Sequence, residues 1–435
     1  MNATRGWRQW YNDAMRIYFS GIGGVAIGPL AEMAIGAGHE VCGSDRAAGL
    51  MTEALRRAGI TVSFDQSGEF LRSEHQQAPF DWFVYTAALP ADHPELVLAR
   101  QLGIRTSKRD ELLAQIIADK QLKLIAVTGT HGKTTTTGML VWTLQQLGVP
   151  VSYLVGSTLS FGPSGRFDPA SQFLVYECDE FDRNFLHFSP WLSLITSVDY
   201  DHPDTFPTPD DYRAAFRQFG EQSVQVVAWR EDASVFTPAN VTVLEQTDPH
   251  ITLAGEHNRR NGTLAARAAM LVREAAALEI KAEAIIAALN AFPGTGRRFE
   301  KLADNLYTDY GHHPSEIAAT LQLAHELNDR VVLVYQPHQN IRQHEVRERY
   351  TDEIFIHADE IYWLPTYLTR EDPSLPVLTP EELTRQLTTD KVHIAQLDEA
   401  LWHTIEQQRA RGALVLGMGA GTIDGWLREQ LGRSA

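Results

Sequence analysis

Cysteine is almost absent. Only Cys42 and Cys178 occur in 435 residues, each within an apolar, strand-like stretch. Two such residues build no disulfide framework and fit a reducing compartment, so both are expected to be buried bystanders. Long apolar runs are missing as well: none reaches the roughly 18 residues that cross a bilayer, which sets a membrane span aside. The opening MNATRGWRQWYNDAM has neither an apolar core nor a small-residue cleavage site, so it reads as an extension and not as a secretory signal. A cytoplasmic location is the expectation. Basic charge is scarce too. Against 55 Asp and Glu stand 38 Lys and Arg, a net charge of −17, which argues against a nucleic-acid surface and means that an anionic ligand needs local positive sites. Short-period repeats and low-complexity tracts are lacking, which excludes solenoids and disordered tails.

What is present is alternation. Short β-rich runs alternate with helix-length segments from about residue 16 onward, the pattern of parallel sheets with crossover helices, so the fold class is α/β. The first block runs RIYFSG, a helix through LAEMAIGAG, EVCGSD, a helix LMTEALRRAG, TVSF, DWFVYTA and a helix from Pro94, and RDELLAQIIADKQ closes it near residue 118. A second block contains KLIAVTG, FLVYECDE, WLSLITSV and the helical NGTLAARAAMLVREAAALE, and the turn-rich AFPGTG at 291–296 ends it. NLYTDY, RVVLVYQPH, EIYWLP and ALVLGMGAG repeat the logic in a third block. At this length two or three domains are expected, and we place them at 1–118, 119–293 and 294–435.

In the stretch GTHGKTTTT, Gly129 to Thr137, glycines and a lysine follow the apolar KLIAV directly. A glycine turn between strand and helix exposes backbone N–H groups and the helix N-terminus to an anion, a phosphate cradle. Gly129, Thr130, His131, Gly132, Lys133, Thr134 and Thr135 form it. Lys133 can reach β- and γ-phosphates and the Thr134 hydroxyl can ligate Mg²⁺. β-Branched residues weaken a helix, so four consecutive threonines need such a reason. The strict pattern G-x-x-x-x-G-K-[ST] fails at its first glycine, where Val127 stands, and an ordinary glycine turn is the bland alternative. Glu177 ends the run FLVYE, with Asp179, Glu180 and Asp182 behind it, and LITSVDYDH brings Asp199, Asp201 and His202 to another strand end. Carboxylates at strand ends beside a phosphate loop are placed for Mg²⁺, although acidic clusters are more often solvated loops. His202 beside two acids is a metal candidate.

Together GTHGKTTTT, ECDEFD, DYDHPDTF, GEHNRRN, RRF, DYGHHP and QPH stand in the order found in the Mur ligase family, the ATP-dependent amide-forming enzymes of bacterial peptidoglycan synthesis, which this sequence resembles over nearly its whole length. The resemblance implies three domains: a Rossmann-like N-terminal domain for a UDP-sugar, a central P-loop ATPase-type domain with a parallel or mixed sheet, and a Rossmann-like C-terminal domain that receives an amino acid. It implies ATP and Mg²⁺ at two sites, with Lys133 and Thr134 on the phosphates and first metal, and Glu177 and His202 on the second. It also puts His257, Asn258 and Asn261 near adenine, Arg298 and Asp309 near the nucleotide, and His312 in the cleft. FSGIGGVAIGPLAEM and the GSD ending at Asp45 are similar to members that use UDP-N-acetylmuramate with ATP and L-alanine, so Gly21, Gly23, Gly24 and Asp45 are UDP-sugar candidates. The diphosphate is expected on the helix following Gly23 and Gly24. His338 and Arg342 are the candidates for the amino acid. A monomer or homodimer is expected, with neither nucleic acid nor membrane as partner.

Three positions depart from the family pattern: TDYGHHP stands for DDYAHHP, Thr196-Ser197 for TN, and QPHQ for QPHR, with Gln339 replacing an arginine. Gln339 keeps open a relative that shares nearly all these motifs and joins a preformed tripeptide to the same sugar nucleotide. A different class is also open, because GIGGVA satisfies the dinucleotide fingerprint at Gly21, Gly23 and Ala26 with Asp45 about 20 residues on, as in an NAD dehydrogenase. That reading leaves GTHGKTTTT and the acidic strand ends unexplained.

Overall fold

The structure, a computed structural model, describes residues 14–434 apart from 25, 87–88, 203–204, 370 and 389. The N-terminal extension lies, up to residue 13, outside the described residues. A strand covered by helices on both faces reads as an unbroken apolar run, and the chain builds three sheets around such runs. In the first, β1 (Arg16–Ser20), β2 (Glu40–Ser44), β3 (Thr61–Ser63), β4 (Trp82–Tyr85) and β5 (Arg105–Lys108) pair in the order β3-β2-β1-β4-β5, all parallel. Ile17 and Phe19 enter one core and Tyr18 the other, the period-two alternation that makes IYF continuous.

The second sheet holds β6 (Lys123–Thr128), β7 (Ser152–Leu154), β8 (Gly165–Arg166), β9 (Phe173–Glu177), β10 (Leu192–Ile195), β11 (Gln225–Trp229) and β12 (Val241–Leu244). Its order is β12-β11-β10-β6-β9-β7-β8, mixed only at the antiparallel β7–β8 pair. The third has β13 (Glu300–Ala303), β14 (Leu306–Asp309), β15 (Val331–Tyr335), β16 (Glu360–Trp363), β17 (Val392–Ile394) and β18 (Leu414–Met418) in the order β13-β14-β18-β15-β16-β17, with β13 antiparallel. Val331, Leu333 and Tyr335 face one core and Val332 and Val334 the other.

The chain packs as two compact units: residues up to Thr247 with Asn261–Phe292, and Asp248–Arg260 with the chain from Pro293 onward. Both cysteines are buried and unpaired. Among the described residues no helix is long and apolar enough to cross a membrane. Two elements of the first sheet escape the sequence reading. Glu69–Gln77 is a helix whose one buried residue is Leu71, and β5 is a polar edge strand whose Arg105 guanidinium lies 3.4 Å over the Trp82 ring. Neither carries a long apolar period, because the helix and the edge strand each bury little of their own surface.

Candidate active site

Ligands of open α/β sheets sit beyond the strand C-termini where strand order reverses, and β6, between β10 and β9, ends at such a point. There the chain turns through Gly129, with φ of 132°, and Gly132, with φ of 84°, into the helix Lys133–Gln146. A Cβ on Gly129 would stand 2.3 Å from Thr196 Oγ1, and one on Gly132 2.6 Å from Asn261 Oδ1. Each glycine is therefore required by space as well as by its left-handed backbone, which costs other residues about 1–2 kcal/mol. The loop is tied to the end of β10: Thr130 N donates to Ser197 O (3.0 Å), His131 N to Ser197 Oγ (3.1 Å), and Thr130 Oγ1 to Asp199 O (2.6 Å). His131 Nε2 stands 3.4 Å from Asp199 Oδ2.

Lys133 Nζ donates to Gly129 O at 2.6 Å and to Glu180 Oε2 at 2.8 Å. Burial works against the ammonium, but Glu180 and Asp179 outweigh it and hold its pKa above the usual lysine range. The threonines that follow are kept for their hydroxyls despite low helix propensity. Thr134 Oγ1 donates to Glu177 Oε1 (2.8 Å) and Thr137 Oγ1 to Lys133 O (2.8 Å); Thr135 is the half-exposed member of the run. The second oxygen of Glu177 accepts Gly156 N at 2.8 Å. Glu177 is thus joined to Thr134, and among the described residues no hydrogen bond or ion pair links it to His202, the residue paired with it on sequence grounds. His202 Nε2 stands 3.7 Å from Asp201 and 3.9 Å from Glu180, and its φ of 59° is the kind of strained backbone found at functional sites.

In the first sheet β1 lies at the reversal point between β2 and β4. The helix that follows Gly23 and Gly24 begins at Gly28, and Gly24 O accepts Ile27 N and Gly28 N in the turn that leads into it. Gly21 has φ of 78°. Asp45 Oδ2 accepts Gly23 N at 2.7 Å, so this carboxylate braces the glycine turn from the end of β2.

In the second unit Asp309 ends β14, and its oxygens accept Phe299 N and Gly311 N, both at 2.7 Å. It thereby fixes RRF, in which Arg297 and Phe299 have φ of 55° and 48° on either side of Arg298, whose guanidinium lies 5.2 Å from the Tyr310 ring centre. Burial holds the Asp309 pKa up, with Arg298 opposing it. His312 N donates to Glu316 Oε2 at 3.0 Å, and the ring meets His338 edge-on at 5.9 Å. The half-buried Arg342 is close enough for its charge to disfavour protonation of His312. His338 stacks on Tyr367 at 5.7 Å, and Gln339 turns the chain with φ of 61° into the helix Asn340–Val346. In GEHNRRN, Asn258 Nδ2 donates to Ala254 O (3.0 Å) and His257 Nδ1 is buried with no hydrogen-bond partner.

Burial pushes His257 and His312 down to about 4. The unfolded chain takes up these protons near 6.5, so it binds more protons than the folded chain between about 6.5 and about 4, and stability falls as pH drops through that window. Asp309, Glu32, Asp110 and Glu180, all held up by burial, act in the opposite sense, and Glu326, held down to about 2 by Arg259, acts only at lower pH. We expect these two histidines to contribute a fall in the unfolding midpoint from pH 7 to pH 4.5. A His257→Asn/His312→Asn double variant should lose less of it over that range in thermal melts, and equal slopes would refute the assignment.

Glycine loop, half-buried lysine and carboxylate at the neighbouring strand end define a nucleotide-phosphate-binding α/β protein. Three family models match in order: "Mur ligase family, catalytic domain" over residues 16–121, "Mur ligase middle domain" over 127–247 and "Mur ligase, glutamate ligase domain" over 297–421. The chain is 30% identical to a UDP-N-acetylmuramate–L-alanine ligase of Carboxydothermus hydrogenoformans, covering 94% of this chain and 95% of that one. It is 31% identical to one of Nocardioides sp., at 94% of both. It is similar in fold to the crystal structure of the UDP-N-acetylmuramate-alanine ligase MurC of Thermotoga maritima, with TM-score 0.73 and 23% identity over 97% of this chain and 99% of that one. The chain belongs to the Mur ligase family. The dehydrogenase reading of GIGGVA is set aside.

Proposed function

We propose that the chain is an ATP-dependent ligase that joins L-alanine to the lactyl carboxylate of UDP-N-acetylmuramate, a step of peptidoglycan precursor synthesis. The observation that carries this reading is the phosphate loop with its half-buried lysine at the reversal point of the central sheet, in a chain whose full-length relatives carry that activity in their names. The γ-phosphoryl group of ATP passes to a carboxylate oxygen and ADP leaves. The amine of the amino acid then attacks the acyl carbon, phosphate departs with the C–O bond electrons, and the nitrogen loses a proton. Such chemistry needs positioning, cations around the phosphoryl oxygens and exclusion of water.

In this reading Gly129 to Thr135 hold the phosphates and Lys133 the transferring group. His257, Asn258 and Asn261 serve the adenine, with the unpartnered His257 Nδ1 available to it. Arg298 and Asp309 serve the nucleotide, and His312, kept neutral by burial, lines the reacting groups. Gly21, Gly23, Gly24 and Asp45 take the UDP diphosphate. The domains divide at 118/119 and 293/294. The Thr134 hydroxyl and the Glu177 carboxylate, 2.8 Å apart, are the hard oxygen donors that Mg²⁺ favours; Thr134 would hold one ion, and Glu177 with His202 a second. Bound there, Mg²⁺ neutralises charge on phosphoryl oxygens.

Arg342 and His338 are assigned to the amino acid. A planar guanidinium binds a carboxylate bidentately, which glutamine at 339 cannot imitate. Arg342→Ala is expected to raise KM for the amino acid at least about tenfold, the loss of one charge-assisted contact, with little change in KM for ATP. Equal effects on both substrates, or on neither, would remove Arg342 from this role. The overall reading is tested by phosphate release with UDP-N-acetylmuramate and ATP, comparing L-alanine, L-serine, glycine and a preformed tripeptide. L-Alanine should give the highest kcat/KM; preference for the tripeptide would move the chain to the recycling reaction, and release with none would overturn the reading.

A further inference from the structure

The surroundings of Lys133 leave one acid without a role in the chemistry above. Glu180 has no exposed surface, yet both its oxygens face Lys133 Nζ, at 3.1 and 2.8 Å. The ammonium carries three protons, and four oxygens lie within 3.4 Å of it: those two, Gly129 O and Thr130 O. Its protons are spent inside the protein, so it can donate to a phosphoryl oxygen only by leaving one of these partners. The two carbonyls belong to a loop wedged against Thr196 and Ser197 and cannot withdraw without dismantling it. A glutamate side chain can rotate away.

A second residue bears on the same carboxylate. Tyr212, from the helix Pro209–Gln222, is buried, and its phenol oxygen stands 2.8 Å from Thr130 Oγ1 and 3.3 Å from Glu180 Oε1. Thr130 Oγ1 donates its own proton to Asp199 O and accepts Asp199 N. The phenol therefore has one proton for two acceptors, the loop threonine and the carboxylate. His202 Nε2 lies 3.9 Å from that same carboxylate oxygen. Glu180 thus stands among the phosphate lysine, the loop threonine and the metal-candidate histidine.

We propose that Glu180 is a positioning residue that latches Lys133: its carboxylate holds the ammonium at the phosphate loop, the terminal phosphates of a nucleoside triphosphate displace it, and Tyr212 keeps the carboxylate placed for the exchange. The inference rests on GTHGKT being the phosphate loop. One anion replaces another beside the ammonium, so the lysine is never left buried without a counter-charge, which would be the costly state. The latch competes with the ligand it prepares for, and that sets the sign of its test.

Calorimetry with a non-hydrolysable ATP analogue and Mg²⁺, with AMP as a second ligand, tests the latch in Glu180→Gln, Asp179→Asn and Tyr212→Phe. Glu180→Gln keeps the side-chain shape and removes the competing charge. It should bind the triphosphate at least about fivefold tighter, as expected when an opposing charge contact is removed, bind AMP unchanged, and turn over more slowly because Lys133 is no longer held in place. Damage to the fold would instead weaken both ligands. Asp179→Asn removes a neighbouring charge that makes no bond to Lys133, and should show a distinctly smaller gain. Tyr212→Phe keeps the ring packing against Phe206 and Phe216 and should lower kcat with KM for ATP nearly unchanged, which keeps the idea testable if Glu180→Gln does not fold. Weaker or equal triphosphate binding in Glu180→Gln, an equal gain in Asp179→Asn, or wild-type turnover in Tyr212→Phe overturns the latch. Wild-type triphosphate binding in Lys133→Ala would overturn the phosphate-loop reading itself.

Discussion

Lys133→Ala is expected to abolish ATP-dependent ligation, by at least about a thousandfold in kcat/KM, the order seen when a charge aimed at a developing oxyanion is removed. UDP-N-acetylmuramate binding should remain. The two effects separate because Lys133 opens the helix after β6 in the second sheet, whereas the glycine turn assigned to the sugar nucleotide follows β1 in the first. The substitution also removes the partner of Glu180, which has no exposed surface. A buried carboxylate stripped of its cation is destabilising by about 3–5 kcal/mol when it stays ionised. Burial already holds the Glu180 pKa up, so in the variant the carboxyl can take a proton and limit that loss. Calorimetry with the sugar nucleotide reports whether the first sheet's site survives, and phosphate release reports the chemistry. Near-normal turnover would remove GTHGKTTTT from the role of catalytic phosphate loop.

The strands that carry this site were legible because they are buried on both faces. LKLIAV, FLVYE and LSLI are mostly apolar, interrupted before their ends only by Lys123 and Ser193, and each leads into a polar motif, so Glu177 could be placed at a strand end, and Lys133 and the 199–202 segment a few residues beyond one, from the letters alone. Surface elements gave no such signal. EFLRSEHQQ buries a single leucine, and β17, Val392–Ile394, is largely exposed at the sheet edge. Within the site, what stayed hidden was partnership across the sequence. Glu180 is one of four acids in ECDEFD, and only its complete burial separates it from a solvated neighbour such as Asp182, which pairs with Lys108 at the surface. Tyr212 sits in a helix 32 residues beyond Glu180, and no local period marks it as a partner of the phosphate loop. The pairing of Glu177 with His202 as metal ligands came from the resemblance and from both residues being read at strand ends; the bond between Glu177 and Thr134 was not visible in either.

That contact shapes the second large effect, expected for Glu177→Ala. Glu177 ends β9 beside β6, and one carboxylate accepts both the Thr134 hydroxyl and the Gly156 amide at 2.8 Å. The approach is close: a Cβ on Gly156 would lie 2.8 Å from Glu177 Oε2, so the strand end and the 156 turn are fitted to each other around this group. Truncation removes an anionic oxygen donor from the proposed Mg²⁺ site and frees the Thr134 hydroxyl to rotate. Both losses fall on charge that develops during phosphoryl transfer, so the effect should appear in kcat more than in KM for ATP. We expect kcat to fall by about two to three orders of magnitude, and the Mg²⁺ concentration for half-maximal rate to rise. Glu177→Gln distinguishes the charge from the scaffold: its carbonyl oxygen can still accept from Thr134 or Gly156, so the variant should keep wild-type thermal stability while losing most of the rate. His202→Ala is the comparison arm, since His202 contacts Glu180 and Asp201 and not Glu177. If both residues serve the same metal chemistry, both variants will shift the Mg²⁺ dependence in the same direction. Wild-type rates and Mg²⁺ dependence in Glu177→Ala and His202→Ala would remove both residues from metal binding.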